Sequence, residues 1–240
     1  NKMANAIKLK KGLDIPIEGR AEARVVEVPP SERYALVPDD FHGIVPKVLV
    51  KPGDKVRVGT PLMCDKNRPE MVFVSPVSGE VEAVNRGERR KVLNITVKSD
   101  GKMESVDTVR PEISTLDGQQ VKAILLERGL FMYIKQRPYD IIADPTVFPR
   151  DIFVTAWDSA PLAPDFDFVV KGREDDLQAG IDVLAKLTAG RVFLGVLPGA
   201  DSRCGEPRLS LSMVLIRPEM SGCRFITSRR SPKVRPCGRS

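Results

Sequence analysis

The chain has 240 residues, with 38 Lys and Arg against 32 Asp and Glu and a single histidine, for a formal net charge of +6. That length allows one large or two modest domains, and no apolar run reaches the roughly 18 residues of a membrane-spanning helix. The positive balance does not indicate nucleic acid as a partner, because residues 202–240 hold nine basic and two acidic residues, or +7, leaving −1 for residues 1–201. Three of the four cysteines (Cys204, Cys223, Cys237) fall in the same stretch. Cys64 is alone in the body of the chain, so neither a disulfide framework nor a zinc spacing is expected. The opening NKMANAIKLKK lacks the apolar core of a signal peptide. Asn1 and Lys2 read as residues upstream of a natural start at Met3, and the expected place is the cytosol or the cytosolic face of a membrane.

Residues 6–17, AIKLKKGLDIPI, alternate apolar and basic residues around Gly12 and predict two short strands joined by a turn. Another strand is predicted at 23–28, ended by Pro29 and Pro30, and another at 34–37 before the Pro38-Asp39-Asp40 turn. His42 lies beside Gly43. A lone histidine makes no metal site unless other ligands converge on it. Asp39 and Asp40 could do so, or could simply shape the turn.

The most informative stretch is 45–97. Short runs of three to six residues, apolar or alternating (47–50, 56–58, 61–64, 71–74, 80–84, 92–97), are separated by Pro52-Gly53-Asp54, Gly59, a polar turn at 65–69 and Pro76–Gly79. That is the signature of short strands and tight turns. The order V-x-PGD-x-V-x-x-G-x-P-L, then SP-x-SG-x-V, resembles the barrel-sandwich hybrid of biotinyl and lipoyl domains. A carrier of that kind presents a modifiable lysine at the hairpin tip within a sequence such as EAMKM. Here the tip reads DKNRPE; Lys66 is roughly in place but lacks the small and Met neighbours, and a solvated turn lysine is the simpler reading.

After a polar link at 98–107, with SDGK as a hairpin tip, a helix is predicted at 115–129. Asp117 can cap it, Val121, Ile124 and Leu125 share one face, and Gly129 follows the last turn. Pro138, Pro145 and Pro149 keep 132–151 extended or looped. The apolar run 151–156 predicts a strand buried on both faces. A helix at 173–188, with Leu177, Ile181, Val183, Leu184 and Leu187 inward, leads to a second buried strand at 191–197. Strand, helix, strand opens a doubly wound α/β domain. A ligand there would sit beyond the strand ends, at Trp157-Asp158-Ser159 and 198–201, although neither place has a G-x-G-x-x-G or Walker loop.

Residues 202–240, rich in Arg, Ser, Cys and Pro, show no period outside 209–216. They read as a disordered basic arm or as the product of a shifted reading frame. Read from the third base of each codon, with free choice at degenerate positions, residues 213–228 become GPNPAGNVGVQIHHI, a set of glycine turns followed by a β run. The shifted reading fits better, and on it the tail's charge and cysteines carry no function.

Several stretches together carry a family resemblance: IKLKKGLDIPIEG, YALVPDDFHGIVPKVLVKPGDKV, GTPLMCDKNRPEMVFVSPVSGEVEAVNRGERRKV, GLFMYIKQRPYD and IFVTAWDSAPLAPD. From 3 to about 201 the chain resembles the N-terminal part of the NqrA family, the NqrA subunits of the Na+-translocating NADH:quinone reductases. That family continues with a GP-x-PAG-x-VG segment where this chain has its tail.

The resemblance implies a mixed α+β and α/β architecture. A β-rich barrel-sandwich hybrid region spans 3–107, with the sandwich at about 41–100. An incomplete doubly wound α/β domain, related to the complex I flavoprotein subunit, spans 108–201, and the tail spans 202–240. It also implies a peripheral subunit on the cytoplasmic face of the bacterial inner membrane. Its partners would be the other subunits of the reductase, especially the membrane subunit on the quinone side. That complex passes electrons from NADH through FAD, FMN and an iron–sulfur centre to quinone while exporting Na+. In the complex I relative, a Gly-rich loop holds FMN and cysteines hold a cluster. Neither pattern stands before residue 202, so the chain is expected to bind no cofactor or metal of its own and to supply no catalytic residue.

If it faces quinone, the candidates are Phe131, Tyr133, Lys135 and Arg137, an aromatic and basic set able to stack on a ring and donate to a carbonyl oxygen. Against that, Phe131 and Tyr133 could simply pack the junction between domains. Two alternatives remain: a carrier modified at Lys66, and a free-standing flavoprotein.

Overall fold

The computed structural model describes residues 5–7, 22–107, 111–156, 160, 162–196 and 212–216. In chain order the strands among them are β1 (Asn5–Ile7), β2 (Arg33–Leu36), β3 (Pro46–Val48), β4 (Lys55–Val56), β5 (Pro61–Asp65), β6 (Val72–Val74), β7 (Gly79–Arg86) and β8 (Val92–Ser99), then β9 (Lys135–Gln136), β10 (Ile141–Ile142), β11 (Ile152–Thr155), β12 (Val192–Val196) and β13 (Ser212–Ile216). The helices are α1 (Gly118–Glu127), α2 (Phe166–Val170) and α3 (Glu174–Ala185). Contacts group these elements into two units, Val26–Phe148 and the described residues on either side of it. Among the described residues no helix is long and apolar enough to cross a membrane.

In Val26–Phe148 the punctuated alternation of 45–97 gives two antiparallel sheets, ordered β2-β8-β7-β4 and β3-β5-β6. Their inward side chains share one core. Along β8, Ile95 and Val97 are buried while Thr96 and Lys98 are not, the period of a strand with one wet face, and Val92 is buried out of that period, where the β7–β8 register shifts. Each such side chain, fully buried, contributes about 1.5–3 kcal/mol. β5 does not alternate: Leu62, Met63, Cys64 and Asp65 are all buried, so both of its faces are covered. Residues beyond the sandwich supply part of that cover, since Leu126, Phe131 and Ile142 belong to the same core as Leu62 and Phe73.

Two turns fix the sandwich. At Gly79 a Cβ would collide with the Lys98 carbonyl, so β7 can lie against β8 only with glycine there. The buried Ser78 hydroxyl donates to Asp100 Oδ1 at 2.6 Å and accepts from the Glu104 amide at 3.0 Å, tying this turn to the tip at 99–102. The second turn, between β5 and β6, is organised by the carboxylate of Asp65, which has no exposed surface. Its Oδ1 accepts from the amides of Val45 and Asn67, both at 3.1 Å, and its Oδ2 from Arg68 Nε at 3.0 Å. A buried carboxylate needs such partners, because removing the charge from water without them is costly.

The predicted helix at 115–129 forms as α1, with the expected cap. Gln120 N donates to Asp117 Oδ1 at 2.7 Å and Asp117 N donates to Gln120 Oε1 at 2.9 Å, a reciprocal capping box. The other end closes on Gly129, at φ +67°. The Leu130 amide donates to the Leu125 carbonyl and the Gly129 amide to that of Leu126, so the last carbonyls are satisfied as the chain leaves the helix. A Cβ at Gly129 would meet Val74 at 3.1 Å, so the glycine also lets the helix end sit close on β6.

The second unit has an all-parallel sheet ordered β1-β13-β12-β11. β11, α3 and β12 form the strand–helix–strand unit expected from their spacing. Ile181 is buried on α3, and Leu187 is buried in the turn just beyond it. Three acidic residues, Glu174, Asp175 and Asp176, occupy the first turn of α3, where the helix dipole favours them. Phe153 and Phe193, paired across β11 and β12, stack with centroids 4.9 Å apart.

Several expectations are corrected. Residues 23–28 form no strand: Val25 is 85% exposed, and alternation makes a strand only where a neighbour takes its hydrogen bonds. β11 is not buried on both faces, since Phe153 stays 40% exposed on one of them. Contacts place α1 and the residues after it in one unit with the sandwich, Val26–Phe148, where they bury apolar side chains in its core. Within 202–240, residues 212–216 form β13, between β1 and β12. It lies in the one stretch of the tail, 209–216, that shows a period. The predicted strand turn at 8–17 and the strand ends at 157–159 and 198–201 lie outside the described residues.

The Ser78–Asp100 bond predicts an acid-sensitive sandwich. The Ser78 hydroxyl first, and then the Lys102 amide, hold the Asp100 carboxyl below the ordinary carboxylate range. A folded-state value below the unfolded one gives stability that is complete above the unfolded value, about 3.9, and is lost as pH falls through the folded value. Urea midpoints of the wild-type chain should therefore hold from neutral pH to about pH 5 as far as this group is concerned, then fall at lower pH. Asp100→Asn should show a shallower fall, and an identical pH profile would contradict the assignment.

Candidate functional site

The four sequence-derived candidates do not form one cluster. Phe131 begins a 3-10 turn, Phe131–Tyr133, and is only 5% exposed, packed in the core of Val26–Phe148. Its ring is therefore withdrawn from any surface ligand. Tyr133 points the other way, at 72% exposure. Lys135 is exposed on β9, paired across the ladder with Ile142. Arg137, also exposed, has its Nη1 3.5 Å from Asp140 Oδ1.

The β9–β10 hairpin is anchored on both sides. Phe131 precedes it, and Ile142, 1% exposed, closes it. The Ala143 amide donates to the Ile134 carbonyl at 2.9 Å, extending the ladder beyond β9 and β10. Between these anchors stands Tyr139, 74% exposed, which the sequence reading passed over. Its signal was available: Tyr139 follows Pro138 in a run with no apolar period, where an aromatic residue has no core to face. The exposed side chains in and just before the hairpin include Tyr133, Lys135, Arg137 and Tyr139.

Beside it, Thr146 shapes the next turn. Its hydroxyl, at 2.7 Å from Asp144 Oδ1, and its amide, at 2.8 Å, hold the Asp144 carboxyl below the usual range, with the charge of Arg68 adding to the effect.

Lys66 sits at the β5–β6 tip, exposed, with its amide donating to the Val45 carbonyl at 2.7 Å. The residue before it is the buried Asp65. That acid and Arg68 were read only as part of a polar turn; their i, i+3 spacing beside an apolar strand was the overlooked signal. His42 and Asp40 are exposed, and Asp39 Oδ2 accepts from Lys91 Nζ at 2.6 Å, drawing that carboxylate to a cation. Among the described residues no group of three or more His, Cys, Asp or Glu is placed to hold a metal ion. Cys64 is buried within β5.

Comparison with known proteins agrees with this architecture. Residues 7–100 match the model of the NqrA N-terminal barrel-sandwich hybrid domain, and residues 116–211 match that of the NqrA second alpha/beta domain. Similar chains are named as the NqrA subunit of the Na(+)-translocating NADH-quinone reductase. One from Pseudomonas aeruginosa (strain UCBPP-PA14) is 38% identical over 190 residues, covering 78% of this chain and 42% of the relative. One from Neisseria meningitidis serogroup B is 36% identical over 197 residues, 81% and 44%. One from Photorhabdus laumondii is 39% identical over 191 residues, 78% and 42%. The chain thus spans less than half the length of the curated relatives it matches. With the sandwich, the parallel α/β sheet and both family models in agreement, the chain belongs to the NqrA family of Na+-translocating NADH-quinone reductase subunits.

Proposed function

We propose that this chain serves as the sandwich-bearing part of the NqrA subunit in a Na+-translocating NADH:quinone reductase. It docks as a peripheral component on the cytoplasmic face of the membrane, against the membrane subunit on the quinone side, and holds no redox centre of its own. Its share of the reaction is a surface for quinone. The observation that carries this reading is the anchored hairpin, with Tyr133 and Tyr139 largely exposed and Lys135 between them. Tyrosine rings stack on a quinone ring, while a hydroxyl or ammonium donates to a quinone carbonyl oxygen. As that oxygen gains charge on reduction, a fixed cation favours the reduced form. Phe131 serves from beneath by fixing the turn, and Arg137 contributes charge at the hairpin end.

In the assembled reductase, Tyr133→Ala and Lys135→Ala should each raise the quinone KM by up to about tenfold, the loss of one stacking contact or one hydrogen bond. NADH oxidation by an artificial acceptor should be unchanged. An azido-quinone should label the peptide 130–140. Unchanged quinone kinetics in both variants, with labelling confined to other subunits, would contradict the reading.

We also propose that the tail, 202–240, is written in a shifted frame, β13 from Met213 included, because the alternative frame read from Met213 gives the glycine-rich segment of the family. The coding DNA, together with the intact mass of the protein, decides this. A mass of 26.5 kDa for the natural product, with DNA to match, would make the basic tail real and overturn the proposal.

A further inference from the structure

A cleft of about 440 Å³ opens on the sandwich between β3, the β5–β6 tip and the β7–β8 turn, lined by Pro46, Lys47, Val48, Lys66, Arg86 and Val92. Every charged group in that lining is a cation. Lys47, Lys66 and Arg86 are all exposed and make no ion pair among the described residues, and Arg86 Nη1 rests on the Arg90 carbonyl at 3.3 Å. Of the neighbouring carboxylates, Asp65 turns inward to Arg68 and Asp39 binds Lys91, while Glu88 stands exposed in the β7–β8 turn. Beneath the cations, Pro46, Val48 and Val92 give the cleft an apolar floor.

The turn that borders the cleft adds to the charge. Arg89 and Arg90 both sit at positive φ, 53° and 63°, a conformation that glycine or asparagine would adopt at lower cost. The Gly87 amide to the Lys91 carbonyl, 2.8 Å, and the Lys91 amide to the Glu88 carbonyl, 3.1 Å, hold this shape. Two successive arginines kept in an unfavourable conformation beside the three cations of the cleft are the kind of local strain that collects at binding surfaces.

β3 supplies the remaining feature. It is an edge strand, paired only with β5. Leu49 N donates to the Leu62 carbonyl and the Val45 carbonyl accepts from Lys66 N, so the odd-numbered residues face β5. By the alternation of an antiparallel ladder, the Val48 amide and carbonyl and the Pro46 carbonyl face the open side. An extended chain can therefore add beside β3.

We propose that this cleft docks an extended acidic segment of a partner polypeptide, which pairs along the open edge of β3 and sets alternate carboxylates against Lys47, Lys66 and Arg86. Its intervening apolar side chains cover Pro46, Val48 and Val92. This inference stands on the cleft alone and does not depend on the quinone reading.

The test is fluorescence anisotropy of the full 240-residue chain with a labelled peptide of alternating Glu and Val. A Lys and Val peptide and vesicles containing phosphatidylglycerol serve as comparisons. The Glu and Val peptide should bind saturably and weaken with added salt. Lys47→Glu and Arg86→Glu should each weaken it by about tenfold or more. The triple variant Lys47→Glu, Lys66→Glu, Arg86→Glu should instead gain affinity for the Lys and Val peptide, a result that a merely unfolded protein would not give. Equal binding of both peptides to the wild-type chain, affinity unmoved by the charge reversals, or binding of the vesicles without the acidic peptide would each overturn the proposal.

Discussion

The carboxylate of Asp65 is the constraint on which the sandwich depends. It lies fully buried at the end of β5, where a charge is tolerated only with its hydrogen-bond capacity satisfied. The Val45 and Asn67 amides and the Arg68 guanidinium provide that. One of these partners precedes β3 and the other two lie in the β5–β6 turn, so one side chain fixes the approach to β3 and the tip together. The exposed Lys66 and the open edge of β3 take their places from this arrangement. A hydrophobic residue at position 65 could fill the volume but would leave the amides without partners.

From that fixed tip the rest of the unit follows by packing. β5, covered on both faces, needs more apolar surface than the two sheets provide, and α1 with the residues after it supplies the remainder. Gly129 makes the approach possible, and the β9–β10 hairpin is then carried on a rigid base. Buried Phe131 and Ile142 hold the hairpin on both sides, with Tyr139 exposed between them. The parallel sheet of the second unit rests on different physics, since its strands are ordered by a helical crossover rather than by turns.

The sandwich was legible in the sequence because most of its strands alternate and all are separated by turn residues that permit little else. The ends of α1 were legible for the same local reason: Asp117 and Gly129 act within a turn of themselves. What the sequence could not show was non-local. The run at 23–28 has the pattern of a strand but no neighbour, and a pattern carries no information about partners. Phe131 and Tyr133 are two residues apart and chemically alike, yet one lies in the core and the other at the surface, a choice set by Leu126 and Ile142 rather than by nearby sequence. Asp65 was hidden in an ordinary polar turn because its burial depends on the sheet that closes over it. The charge of the cleft comes from positions 47, 66 and 86, which become neighbours only when β3, the tip and the β7–β8 turn converge.

The most direct test of the role given to Asp65 is amide hydrogen exchange on the wild-type chain, Asp65→Asn and Asp65→Ala. The Val45 and Asn67 amides should be protected in the wild-type chain, partly protected in Asp65→Asn, where an oxygen can still accept, and rapidly exchanging in Asp65→Ala. Amides of the β7–β8 ladder should stay protected throughout, because they do not depend on the tip. If Val45 and Asn67 keep their full protection in Asp65→Ala, the carboxylate is not what holds the tip, and the sandwich must be organised by its apolar core alone.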